Sequence, residues 1–156
     1  MSSPKKLASS RDATHAELKA LSQSEDLAVR RAVAGNERTL PEILEKLSHD
    51  SDKAVRRAVA TNPNSPAKAL MRLGAQFPKE LLENPALDTL VLENPNLFAE
   101  VPEATLAAIA KREGCPTEVL GYLARAGHGL GLLGSLLQNA KTPRDAVQYL
   151  YEASTS

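Results

Sequence analysis

Aromatic side chains make up only 3% of this 156-residue chain, and there is no tryptophan. A core must therefore be assembled from Leu, Val, Ile and Ala. Stacking on rings, a common way to hold nucleobases, has little to draw on. Cysteine is scarcer still: the single Cys115 excludes an internal disulfide framework and any site built from several thiolates. A lone cysteine is ordinarily a small buried hydrophobe. No apolar run approaches the roughly 20 residues that span a bilayer. The opening Met1-Ser-Ser-Pro-Lys-Lys lacks the apolar stretch of a signal peptide. These absences lead us to expect a cytoplasmic protein. A flexible polar tail is expected over 1–10, a single domain over 11–153 and a short Ser/Thr tail over 154–156.

Catalytic signatures are also missing. His15, His49 and His128 are far apart in sequence and share no metal-ligand spacing, so neither a metal nor a cofactor is expected. No nucleophile elbow, phosphate-cradling loop or zinc-protease signature occurs. The segment Gly127-His-Gly-Leu-Gly-Leu-Leu-Gly134 is glycine-rich, but no strand precedes it and its spacing is not that of a dinucleotide fingerprint. It reads as a turn leading into closely packed helix. The chain is expected not to be an enzyme.

Net charge is zero, yet unevenly spread. Residues 1–80 carry 14 Lys/Arg against 10 Asp/Glu, and residues 81–156 carry 5 against 9. This is a mild dipole, weaker than the basic tract of a dedicated nucleic-acid binder.

What the sequence does contain is a repeat. Val29-Arg-Arg-Ala-Val-Ala-Gly-Asn36 returns as Val55-Arg-Arg-Ala-Val-Ala-Thr-Asn62, seven residues identical in eight at a spacing of 26. Leu18 and Leu44, Leu21 and Leu47, Ser22 and Ser48, and Asp26 and Asp52 keep the same spacing. Later copies diverge: Gly114-Cys-Pro116 leads into 117–123, and Thr142-Pro143 into 144–150. Between them, Leu81-Leu-Glu-Asn-Pro-Ala-Leu87 recurs as Val91-Leu-Glu-Asn-Pro-Asn-Leu97 at a spacing of only ten, which marks a compressed middle. About five units are expected.

Each unit reads as two short helices. Val29, Ala32 and Val33 form one apolar stripe, and Ile43, Leu44 and Leu47 the other. The Asn-Pro-x-Ser-Pro junction punctuates them. Asn can adopt a left-handed helix end, Ser or Thr can cap the next helix, and Pro suits its first position. Such short helices are stable only when stacked on neighbouring units.

The unit from Asp52 to Leu73 resembles the leucine-rich repeat variant, a relative of HEAT and armadillo repeats. That resemblance implies an all-α fold: a right-handed α-solenoid of helix pairs of about 24–27 residues. It also implies a binding scaffold for a protein or peptide. One member type carries a cysteine-ligated iron–sulfur cluster, which a chain with one cysteine does not support.

The repeated arginines are the candidate site. Arg30 and Arg56 lie on the flank of their helices and follow Asp26 and Asp52 by one turn. Those carboxylates can pair with the arginines or cap the helices. HEAT-type repeats similarly tie neighbours together with Asp and Arg, so these four residues read as a structural ladder. Arg31 and Arg57 point away from the core and form a short basic face, to which Lys53 and Lys79 add. The alternative ligand is nucleic acid, but Leu106 and Ala107 stand where Arg56 and Arg57 would recur, so the basic ladder ends mid-chain.

Overall fold

The computed structural model describes residues 3–94, 96–99, 101–126 and 129–155. Among them are twelve helices and no strand. His128 and Gly127 lie outside the described residues, so the expectations that touch them are not taken further.

Packing groups the chain into two compact units, where the sequence is read above as one domain over 11–153. One unit comprises Met1–Leu73 with Asn84–Ala86, the other Gly74–Glu83 with Leu87–Ser156. The first holds α1 (Pro4–Ala8), α2 (His15–Leu21), α3 (Leu27–Gly35), α4 (Pro41–Leu47), α5 (Lys53–Thr61) and α6 (Ala67–Leu73). The second holds α7 (Pro78–Glu83), most of α8 (Ala86–Glu93), α9 (Glu103–Ala110), α10 (Thr117–Ala126), α11 (Leu130–Gln138) and α12 (Arg144–Thr155).

Odd-numbered helices pack on odd-numbered ones. In the first unit α3 lies between α1 and α5, and in the second α9 lies between α7 and α11. Even-numbered helices pack behind, with α4 on α6 and α10 on α12. The stripes follow the heptad-like spacing of the sequence: Val29, Val33 and Ala34 of α3, Val55, Val59 and Ala60 of α5, and Ile43, Leu44 and Leu47 of α4 are all buried. Two expected tails are partly helical. Ser3 caps Lys6 N and Pro4 opens α1, whose Ala8 is fully buried. At the other end α12 continues to Thr155.

The asparagines that close the odd helices do more than punctuate. Asn36, Asn62 and Asn139 are extended, with φ of −79°, −74° and −89°, and no described residue has positive φ. The left-handed helix end expected for them is therefore not used. Each side chain instead reaches back to the preceding helix pair. Asn62 Nδ2 donates to Ala34 O at 2.7 Å and to Asn36 O at 3.0 Å, while its Oδ1 accepts from Asn64 N at 2.9 Å. Asn36 makes the same bonds to Ala8 O and Ser10 O, Asn84 to Ala60 O and Asn62 O, and Asn139 to Ala110 O and Arg112 O. All four side chains are buried. They satisfy the helix-terminal carbonyls that would otherwise be orphaned inside the stack.

The Ser/Thr residues of the junction also face backward. Thr39, Ser65 and Thr142 donate their hydroxyls to Val33 O, Val59 O and Leu136 O, six residues earlier. The N-cap of α4 is Leu40, with no side-chain bond, so the capping role expected of Thr39 is absent there. The compressed middle is resolved by the same logic. Asn84 is a buried rung, whereas Asn94 of the second Glu-Asn-Pro is exposed and binds only Asn96 N. At the next junction Arg112 and Cys115 stand in for the Asn and Ser. Arg112 still supplies a carbonyl to Asn139.

Candidate functional site

The two arginines of each copy are separated by what surrounds them. Arg30 turns along the flank of α3. Its Nε donates to Asp50 Oδ2 at 2.8 Å and its Nη2 to Asp50 Oδ1 at 3.2 Å, a bidentate pair with side chains only 18% and 8% exposed. Nη1 also donates to Ser24 O and Glu25 O. Arg56 repeats the backbone part, giving Nη1 to Asp50 O at 2.7 Å and Ser51 O at 2.9 Å. The arginine thus ties the odd helix to the loops on either side of it. Asp26 and Asp52 are caps: their carboxylates accept from Ala28 N and from Ala54 N and Val55 N. For Arg30 the ion-pair partner is Asp50, not Asp26. Burial pushes the Asp50 carboxyl up, but the Arg30 guanidinium and the Asp52 amide outweigh it and hold the pKa below the usual carboxylate range. Asp50 was not singled out from sequence because Ser24 occupies its place 26 residues earlier. What repeats is the contact to the backbone: Ser24 Oγ accepts from Asp26 N as Asp50 Oδ1 accepts from Asp52 N.

Arg31 and Arg57 are exposed, on α3 and α5, and Lys53 is exposed in the first turn of α5. Arg31 borders a groove of about 490 Å³ whose other walls are Lys5, Leu27, Ala28, Ala32 and Ala54. Lys5 is a cation the sequence reading placed in a tail. It precedes Arg31 by 26 residues, as Arg31 precedes Arg57, and it is exposed on α1. Since α1, α3 and α5 lie side by side, Lys5, Arg31 and Arg57 form a row with one cation per odd helix. Helices in contact lie about 8–10 Å apart, which sets the spacing of the row. Lys79 holds the corresponding place in α7, five residues before Asn84 as Arg57 is five before Asn62. It belongs to the second unit, where its Nζ lies 3.9 Å from Glu83 Oε1. Ala107 and Gly134 occupy that place in α9 and α11.

The other side of the first unit is different in character. A groove of about 410 Å³ between α2 and α4 is lined by both signs of charge, among them Lys19, Lys46, Glu42 and Asp50, with His15 at its edge. His49 Nε2 lies 3.9 Å from Glu45 Oε1, which Arg72 Nη2 holds at 2.7 Å. Among the described residues no group of three or more His, Cys, Asp or Glu could hold a metal ion. No described helix is long and apolar enough to cross a membrane. No protein-family model, no curated protein and no solved structure matches the chain.

Proposed function

We propose that this chain is a non-catalytic repeat scaffold that binds an acidic protein segment along its odd-helix face. In this reading the helix pairs follow a right-handed solenoid related to the leucine-rich repeat variant, and the partner is an extended peptide. The observation that carries it is the row Lys5, Arg31, Arg57, exposed at matching positions of three neighbouring helices above an apolar floor of Leu27, Ala28, Ala32 and Ala54. Cations about 8–10 Å apart match acidic side chains about three residues apart on an extended chain, which rises about 3.3 Å per residue. The apolar floor accommodates a side chain between them. Lys53 adds charge at the edge of the row.

Binding of a labelled extended peptide with Glu at every third position tests this. Arg31→Ala with Arg57→Ala should weaken it about tenfold, equivalent to about 1.4 kcal/mol, and leave the melting temperature nearly unchanged. Arg30→Ala should instead lower the melting temperature. If duplex DNA competes more strongly than the peptide, with an affinity that falls steeply as salt rises, the partner is nucleic acid and the peptide reading fails.

A further inference from the structure

The outer surface of α11 and α12, in the second unit, breaks a rule kept inside both units. Where one odd helix closes on the next, the contact residue is alanine. Ala34, which faces α5, and Ala110, which faces α11, are fully buried. Counting back two residues from Asn139, as Ala34 lies two before Asn36, gives Leu137, which is 62% exposed. The even helices behave alike. Eight residues past Pro116 stands Ala124, buried where α12 packs on α10; eight past Pro143 stands Tyr151, 57% exposed. Leu130, one heptad before Leu137 on the same face, is 77% exposed.

Small residues at these positions let helices approach closely, so a leucine and a tyrosine do not suit another helix pair stacked in the same register. Nor do they suit water. Polar side chains would be expected on a solvated end face, yet α11 contains no charged residue from Leu130 to Gln138. We infer that this face pairs with the same face of a second copy of the chain, the two α11 helices lying antiparallel across a two-fold axis. Leu130 and Leu137 then exchange ends across the axis and form a self-complementary apolar seam, the isologous kind of contact.

Charge at the two ends of the helix supports antiparallel pairing. At the start of α11 sits the carboxylate of Glu103, whose Oε1 accepts from Leu132 N at 3.2 Å. Just past its end is exposed Lys141. Antiparallel helices bring Lys141 of one copy opposite Glu103 of the other, twice, and also oppose the helix dipoles. A parallel arrangement would set like charge against like.

Sedimentation velocity on the full chain over a dilution series up to about 1 mM tests the pairing. The expected result is a reversible shift from the 16.7 kDa monomer to a species of twice that mass and nothing larger. Leu137→Lys should abolish the shift without changing the helical circular dichroism, and Leu130→Lys, at a second exposed position, should do the same. Leu92→Lys, on α8 and 76% exposed, should leave it intact. A monomer at every concentration, an open series of larger species, or a dimer that survives Leu137→Lys and Leu130→Lys would overturn the inference. An open series would mean head-to-tail contact.

Discussion

Replacing Asn62 with alanine tests the buried asparagine rungs most severely. Asn62 is 2% exposed and makes three hydrogen bonds to backbone: two as donor, to Ala34 O and Asn36 O, and one as acceptor, from Asn64 N. Asn36 O keeps a second donor, Thr39 N at 3.0 Å, so the groups most affected are Ala34 O and Asn64 N. At about 1 kcal/mol net per bond, with an added cost for a carbonyl left buried, the loss is about 3–4 kcal/mol. For a chain of this length that lowers the melting temperature by about 10 °C. Asn62→Asp should be at least as damaging, since it puts an oxygen where the two carbonyls need a donor. Asn94→Ala is the control, because Asn94 is exposed and serves only Asn96 N; it should cost under about 0.5 kcal/mol. Urea unfolding followed by circular dichroism reads all three. An Asn62→Ala protein as stable as Asn94→Ala would refute the rung as a source of stability.

Acid should loosen the Arg30–Asp50 tie. The Asp50 pKa is lowered on folding, so its contribution is present above the unfolded carboxylate value of about 3.9 and is lost as pH falls through the folded value. The stability gap between the natural chain and Asp50→Asn should therefore narrow below about pH 4, in urea titrations at stepped pH. At Gly129 an added Cβ would meet the Glu103 carboxylate at 1.9 Å, so Gly129→Ala should swing Glu103 off the start of α11 and cost about 1 kcal/mol. Glu103→Ala should cost the same, and the double variant little more, which thermal melts will show. Burial pushes the Cys115 thiol up to about 12. A thiol reagent at pH 8 should label it only as fast as the protein opens, and denaturant should make labelling prompt.

Much of the fold is written in the 26-residue spacing, because identical residues at identical intervals demand identical surroundings. Val29 with Val55 and Leu44 with Leu70 announce their burial that way. The asparagines were visible at the same spacing, but local rules for helix ends point toward a left-handed turn. Their bonds run instead to carbonyls 22 to 29 residues earlier, which no local rule reaches. Asp50 was hidden for the opposite reason: its pairing with Arg30 occurs once and has no copy to reveal it. Lys5 fell outside the reading because its repeat is stripped to a five-residue helix, leaving only the interval to Arg31 as a signal. The glycines at 129 and 131 make sense only once Glu103, far back in the chain, is seen against them.

The cation row is the centre of the functional account, and amide chemical-shift mapping tests it most directly. A peptide with Glu at every third position, titrated into the labelled chain, should perturb amides of α1, α3 and α5 around Lys5, Arg31 and Arg57. The same titration with Arg31→Ala and Arg57→Ala should leave them still. Shifts centred instead on the groove between α2 and α4, or unchanged by the two substitutions, would contradict the row as the binding face.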